Sequence, residues 1–399
     1  MKTYGFHPFV RTFVNENKGI IYNLLDGSAF QAEPKVIRVL RSKTYQNLPT
    51  IEKRAKKLKM NLDEIKRMLD EGMRSGLILE LNNSAWRGEI LAPLEYQFLN
   101  KSLYYSLNKL IIQPYAKCNY ECKECKSYVN CSCFADDKEW DDEEIANFIQ
   151  DLERYKNAIS KVELIGGNLT LYDKIKNVIK GIEKAKPRTI EMHVPIKALS
   201  TKKSLLTSIK NEHPKRFLIV YDILPGMVYE PYLNFISSGK DRIQLFLDSK
   251  ESEDIEKKIS IQIPNTIIRK KHMLKKDLSN IDWYKKVSAK YFFKGVTFYE
   301  FSFRKYFHRC WGCSFSIDHS GKISPCLWSS HVFGIWETGR FFNTLMKKTV
   351  CEQFWLENTL AEIPECKDCI YRYGCEDCRV VSEFLSGGKK MKNPLCEMV

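Results

Sequence analysis

The chain has 399 residues, 44% of them hydrophobic, enough for two or three domains with sizeable cores. Its net charge of +15 is spread over lysine-rich helix faces such as RAKKLK and KNVIKGIEKAKPR, with no basic stripe interleaved with aromatics, so nucleic acid is not the expected partner. No run of about 18 apolar residues reads as a membrane span, and MKTYGFHPFVRTFVNENKG lacks the apolar stretch of a signal peptide, so the fourteen cysteines point to metal or redox chemistry in a cytoplasmic protein rather than to a disulfide framework.

Residues 1–105 read as a small α+β unit. GIIYNLLDGSAFQA has the form of a β-hairpin with Asp26-Gly27 at its turn. EPKVIRVLRS reads as a helix. NLDEIKRMLDEGMRSG reads as a second, with Asn61 as N-cap, Glu64 three residues on and Gly76 at its end. LILEL then reads as a strand. Hairpin, helices and strand in this order are compatible with a winged-helix-like module.

Between residues 106 and 305, short apolar runs alternate with helical stretches. LIIQPYA, KVELIGG, TIEMHVPI, FLIVYDIL, IQLFLD, ISIQIP and GVTFYEF read as strands. DDEEIANFIQDLERYKNAI and LYDKIKNVIKGIEKA read as helices. The alternation predicts a parallel α/β sheet. The stretch from Leu110 to Ser302 is too short for an eight-unit barrel of about 250 residues; six units fit, which gives an open, partial (β/α)6 barrel. Residues 306–399 are aromatic and cysteine-dense, with few long periodic elements, as in a segment organised by metal.

The first thiol group is Cys118-Asn-Tyr-Glu-Cys122-Lys-Glu-Cys125, a CX3CX2C spacing directly after LIIQPYA. It falls at the strand's C-terminal end, where parallel α/β folds bind ligands. Three thiolates this close suit three irons of a cubane and leave the fourth iron open to a chelating ligand. A zinc site completed by Cys131 or Cys133 is the competing reading. The spacing resembles that of the radical S-adenosylmethionine (SAM) superfamily. The resemblance implies a 4Fe–4S cluster on Cys118, Cys122 and Cys125, SAM on the open iron, and reductive cleavage to a 5′-deoxyadenosyl radical. Glu124 stands where the family has an aromatic beside the adenine. At the end of the next strand, Gly166-Gly167-Asn168 is similar to the family's Gly-Gly-Glu element, whose backbone contacts the SAM amino group, with Asn168 in place of Glu. Tyr221 and Asp222 fall where contacts to the SAM ribose would lie.

The second group is Cys310-X2-Cys313, Gly321-X4-Cys326, then Cys366-X2-Cys369-X5-Cys375-X2-Cys378 and Cys396. Eight thiolates suit two four-ligand sites, iron–sulfur or zinc. The set resembles the SPASM domain of peptide-modifying radical SAM enzymes, including the grasp-with-SPASM type. By that resemblance, Cys310, Cys313, Cys326 and Cys378 would hold one auxiliary cluster and Cys366, Cys369, Cys375 and Cys396 another, three 4Fe–4S clusters in all. Cys131, Cys133 and Cys351 remain, and read as ordinary thiols.

The resemblance further implies a maturase of ribosomally made peptides. Residues 1–105 would grip the precursor's leader by strand addition, 106–305 would form the radical SAM barrel and 306–399 the SPASM domain. The product would be a thioether, a carbon–carbon crosslink or an epimer, with electrons from a donor such as flavodoxin or ferredoxin. The alternatives are a sulfatase-maturase-like oxidase of one Cys or Ser, and a non-catalytic iron–sulfur homologue that binds peptide.

Overall fold

The structure is a computed structural model and describes residues 1–83, 85, 107–118, 128–129, 138–154, 156–213, 216–236, 241–291, 294–336, 348–388 and 390–397. The N-terminal residues form two small sheets beside three helices. Strands β1 (Thr3–Phe6), β5 (Gln46–Asn47) and β6 (Ile78–Leu81) make one sheet in the order β5-β1-β6. Strands β2 (Val10–Val14), β3 (Gly19–Asn23) and β4 (Ser28–Ala32) make the other, all antiparallel. The expected hairpin is β3–β4, and Gly27 at its turn has φ +75°, a conformation that glycine adopts without steric cost.

Helices α1 (Pro34–Leu40), α2 (Leu48–Lys57) and α3 (Leu62–Arg74) follow. Asn61 caps α3 through a reciprocal box: its side chain accepts from the Glu64 amide at 2.8 Å, and Glu64 accepts from the Asn61 amide at 2.9 Å. Ile65 and Leu69, one turn apart, bury against Ile37, Ile51 and Ile78.

The central sheet holds nine strands in the order β12-β11-β10-β9-β8-β7-β13-β14-β15. Six of them, β7 (Leu107–Ile112), β8 (Ile159–Leu164), β9 (Thr189–Pro195), β10 (Phe217–Ile223), β11 (Arg242–Leu247) and β12 (Ile267–His272), pair in parallel in chain order. Helices α4 (Asp142–Glu153), α5 (Ile175–Lys184), α6 (Leu199–Glu212) and α7 (Lys250–Gln262) connect four of the five steps. A 3-10 turn at Glu230–Phe235 lies in the fifth. Helix α4 is started by a capping box between Asp141 and Glu144, and its stripe of Ile145, Phe148 and Leu152 faces the sheet. The α5 stripe of Ile175, Val178, Ile179 and Ile182 joins the same core.

Two expected strands are helical. ISIQIP lies largely in α7: Ile259 and Ile263, four residues apart, are buried, while Ile261 is 83% exposed. A strand would have put all three on one face; the helix puts only the i, i+4 pair there. The sixth strand is β12, IIRKKH, whose charged residues break the apolar pattern. GVTFYEF gives way to helix α9 (Phe298–Tyr306), which follows α8 (Ile281–Tyr291) and starts at a capping box of Thr297 with Glu300. That cap outweighs the β-prone aromatics, which instead pack as Phe301 and Phe303 on the helix's buried side.

The chain then returns to the barrel. Strand β13 (Ser314–Ile317) pairs in parallel with β7, turns through Gly321 (φ +79°) into β14 (Lys322–Ser324), and β14 pairs with β15 (Gly334–Ile335). The remaining longer helices are α10 (Lys348–Glu357) and α11 (Arg379–Ser386). The hairpin β3–β4 docks here: Ile20, Tyr22 and Leu24 pack with Phe301, Ile370 and Tyr373, and the Tyr22 hydroxyl donates to the Ile370 carbonyl at 3.2 Å.

Candidate active site

Cys118 lies six residues past β7, at the C-terminal mouth of the parallel strands. Cys122, Glu124 and Cys125 lie outside the described residues, as do Cys131 and Cys133. Both described ends of the segment between Cys118 and Tyr128 are anchored. On one side, Tyr115 stacks on Tyr172 at 5.1 Å, and Lys117 pairs with Glu139 at 3.3 Å. On the other, the Tyr128 hydroxyl donates to Asp248, just past β11, at 2.6 Å, and the Val129 amide donates to the Leu274 carbonyl, just past β12, at 2.8 Å. The described ends thus lie beside the end of β8 and beside the ends of β11 and β12.

Gly166 and Gly167 press against the approach to Cys118. A Cβ on Gly166 would sit 2.2 Å from the Tyr115 carbonyl oxygen, and one on Gly167 2.1 Å from that of Lys117. The Gly167 amide donates to Tyr115 at 3.2 Å and the Asn168 amide to Lys117 at 2.8 Å. These glycines thus set the backbone that carries Cys118. The Asn168 side chain, 1% exposed, accepts from the Thr170 hydroxyl at 2.6 Å and caps the short turn Leu169–Leu171.

The barrel's inner wall is polar, which the sequence reading missed. Glu191 accepts from Arg269 through two 2.7 Å bonds and pairs with Lys161 at 2.7 Å and Arg242 at 2.5 Å. Burial opposes its ionisation, but the Arg269 hydrogen bonds and the Lys161 charge prevail and lower its pKa to about 2. Glu163 pairs with Lys161 at 2.6 Å and Lys109 at 3.8 Å; against burial, Lys109 and Lys161 hold it well below the usual carboxylate range. The buried His193 Nδ1 lies 3.1 Å from Asp222. Asp222 thus faces inward, while Tyr221 is buried in the apolar core. The signal was present as period-2 polar residues inside apolar strands: Lys161 and Glu163, Glu191 and His193, Arg242 and Gln244.

This wall and the C-terminal segment enclose a cavity of about 1080 Å³. Cys310, Cys326 and Cys378 line it together with Lys109 and His193. Burial pushes Cys326 up to about 12 and Cys378 up to about 11, and the charge of Cys378 acts on Cys326 and that of Cys310 on Cys378. Cys313 lies elsewhere, packed against Phe303 and Phe307 beside a second recess bordered by Asn108 and Tyr299.

Cys366, Cys369, Cys375 and Cys396 form the other neighbourhood. The charges of Cys369 and Cys396 act on Cys366, and those of Cys366 and Cys396 on Cys375. Burial raises Cys366 to about 12 and Cys375 well above a free thiol. Buried Asp377 ties the loops together: it accepts from Arg379 at 2.6 Å, Ser382 at 2.7 Å and Asn393 at 2.9 Å. Among the described residues, no three His, Cys, Asp or Glu side chains form a group drawn as for a bound metal ion. As a donor set, four neighbouring half-buried thiols suit a fully ligated cluster.

No family model matches the chain, and no curated protein matches it in sequence. Solved structures resemble it. Polyhistidine-tagged anSMEcpe with bound AdoMet aligns with a TM-score of 0.51 at 12% identity, over 73% of this chain and 91% of that one. Native anSMEcpe with bound AdoMet and Cp18Cys peptide gives 0.48 at 12% identity, over 73% and 92%. BtrN in complex with AdoMet and 2-DOIA gives 0.40 at 10% identity, over 68% and 94%. The first likeness is one of fold: a mixed α/β chain whose large sheet is mostly parallel, with Cys118 at the C-terminal mouth of its six parallel strands.

Proposed function

We propose that the chain is a radical SAM enzyme that modifies a ribosomally made precursor peptide held through its leader. One observation carries the reading: Cys118 follows β7 at the C-terminal end of the parallel strands, and the cavity along their inner wall is bordered by a second set of thiols, Cys310, Cys326 and Cys378. When bound, SAM on the first cluster supplies hydrogen abstraction from the substrate. Cys118, Cys122 and Cys125 would hold that cluster, with the Gly166-Gly167 backbone fixing the approach to Cys118. The C-terminal thiols would hold two auxiliary clusters that pass electrons to or from the substrate, with a flavodoxin or ferredoxin as external donor. Lys161, Glu163, Glu191 and the His193–Asp222 pair would orient the substrate inside the barrel.

The N-terminal unit supports a peptide. Strand β4 is an outer strand of its sheet, and its Phe30 is 44% exposed, an edge suited to strand addition. In this reading residues 1–105 are the leader-binding module, 106–305 the catalytic barrel and 306–399 a SPASM domain.

The test is anaerobic. Reconstituted protein with dithionite and SAM should release 5′-deoxyadenosine, read by mass spectrometry, and the Cys118→Ala/Cys122→Ala/Cys125→Ala variant should release none. A wild-type protein that carries its iron yet cleaves no SAM, with or without candidate precursor peptides, would overturn the catalytic reading.

A further inference from the structure

Most charges on the barrel's inner wall are partnered within the chain. Glu191 pairs with Lys161, Arg242 and Arg269, and Glu163 pairs with Lys161 and Lys109. These six groups, on β7, β8, β9, β11 and β12, neutralise one another. His193 is different. It is 5% exposed and lines the cavity, yet its Nε2 has no hydrogen-bond partner among the described residues. A buried polar atom without a partner is costly and calls for a cause.

Strand register produces the arrangement. Side chains two residues apart share a face, so His193 points the same way as Glu191, into the barrel. His193 pairs with Val220 on β10, and Asp222 lies two residues further along that face. The Asp222 carboxylate lies 3.1 Å from His193 Nδ1. On its other side, Asp222 pairs in register with Gln244 on β11, a cavity residue.

The tautomer follows from these contacts. A carboxylate only accepts, so Nδ1 carries the hydrogen and donates it to Asp222. The neutral ring then presents a bare lone pair at Nε2. Buried His308 shows the converse. Its Nδ1 accepts from the amides of Cys310 at 3.3 Å and Trp311 at 3.4 Å, so its hydrogen sits on Nε2. Of these two buried rings, His193 is the one that offers a base to the cavity.

We propose that His193 is the proton acceptor of the barrel cavity, with Asp222 as its positioning residue, and that the peptide leaves oxidised by the loss of two hydrogens. The inference rests on the radical SAM reading for the first hydrogen, which leaves as an atom and ends in 5′-deoxyadenosine. That C–H bond breaks and a carbon radical remains. A hydroxyl, thiol or amide of the same peptide then bonds to this carbon, and its own bond to hydrogen breaks. The proton goes to His193 Nε2, and the odd electron goes to a one-electron oxidant, an oxidised iron–sulfur cluster of the same reading. Epimerisation has no such step, because a hydrogen atom returns to the carbon and no proton is released.

The lone pair is tested first, on the reconstituted full chain carrying isotope-labelled histidine and read by nitrogen NMR. Above about pH 8 an ordinary imidazole is neutral. His193→Gln identifies the His193 signals by their loss. The wild-type ring should carry hydrogen on Nδ1 and none on Nε2, with His308 the reverse. In Asp222→Asn the side-chain amide can donate to Nδ1, and the hydrogen should move to Nε2. The melting temperature shows that the variant keeps its fold. Access is tested with diethyl pyrocarbonate, which acylates a bare imidazole nitrogen. Peptide mapping should find the label on His193 in the wild type and lose it in Asp222→Asn. A hydrogen on Nε2 of the wild type overturns the inference, as does a His193 that stays unlabelled while other histidines react. Neither result bears on SAM cleavage. With candidate precursor peptides in the anaerobic assay, the product should be lighter by two hydrogens, and His193→Gln should form on the order of 10²–10⁴-fold less of it. A product of unchanged mass overturns the proton acceptor and leaves the radical SAM reading standing. A wild type that carries its iron and cleaves no SAM removes that reading, and this inference with it, whatever the tautomer.

Discussion

The barrel and the cysteine-dense C-terminal segment are stabilised by different means. The barrel strands and their helices share one continuous apolar core, in which Leu110, Val162, Ile190, Ile219 and Ile243 are fully buried. At about 1.5–3 kcal/mol per buried large apolar side chain, such a core needs no further support. Beyond residue 306, Phe315, Ile317 and Ile323 join the barrel core and Ile370 and Tyr373 pack on the N-terminal hairpin, while the other apolar groups fall into small clusters around Phe303, Trp311 and Leu274, and the elements are short. In place of a core the segment has two thiol neighbourhoods and the Asp377 network. The same chain thus combines a scaffold with one continuous core and a segment held by small clusters, neighbouring thiols and the Asp377 network.

Iron removal is the strongest way to break that comparison. Structural metal in small cysteine-rich units contributes on the order of 10 kcal/mol. Hydrogen exchange of the apo protein should therefore show protection lost around Cys366–Cys396, with β8 to β11 still protected. Strand β13 should behave as part of the barrel, because it is paired with β7. Equal protection of both regions in the apo protein would show that the C-terminal segment holds itself together by packing.

Within the barrel, the corresponding weak point is electrostatic. Glu191 serves Lys161, Arg242 and Arg269 at once. Glu191→Gln keeps the shape, removes the charge and leaves three cations facing one another, at an expected cost of about 3–5 kcal/mol in urea unfolding at pH 7. The sign of the pH dependence follows. A carboxylate lowered from 4.5 to about 2 on folding stabilises fully above about pH 4.5, and the contribution is lost as pH falls toward 2. Melting temperatures of the wild type should fall across that window, and those of Glu191→Gln should fall less steeply. Parallel curves would assign the acid loss to other groups.

What was legible in the sequence follows the same division. Five of the six barrel strands are apolar enough to read directly, because each is buried by helices. The sixth, IIRKKH, pairs with a single neighbour in the sheet and carries cations toward the cavity, so its composition hides it. The isoleucines of ISIQIP fit both periods, and only their burial distinguishes them. Thr297 and Glu300 already spelled a capping box inside GVTFYEF. In the site, cysteine spacing is a local property and is visible. That Cys313 packs against Phe303 and Phe307, away from Cys310, Cys326 and Cys378, is a tertiary arrangement that no local pattern encodes. The polar inner wall was visible only as single charges inside apolar strands, each unremarkable until the strands are set side by side.

The smallest of the expected effects on stability reads out most directly on the site. Gly167→Ala places a methyl 2.1 Å from the Lys117 carbonyl oxygen and 2.6 Å from that of Ala116. Both are backbone atoms, so the strain cannot be relieved by a side-chain rotation. Overpacking of this kind costs about 1–3 kcal/mol. Within the barrel the loss is modest, since the core is untouched, but the displaced backbone leads straight to Cys118. Iron should fall by about one cluster, or about four irons per chain, with the auxiliary signals unchanged and 5′-deoxyadenosine formation reduced in step. Gly76→Ala is the control: it strains a positive φ, +70°, but nothing lies within 4 Å of the added methyl, and it sits at the end of α3. It should cost about 1 kcal/mol with no change in iron. If Gly167→Ala instead keeps its full iron and cleaves SAM at the wild-type rate, the glycine pair serves only the turn after β8, and the approach to Cys118 is set by the anchors at Tyr115 and Tyr128.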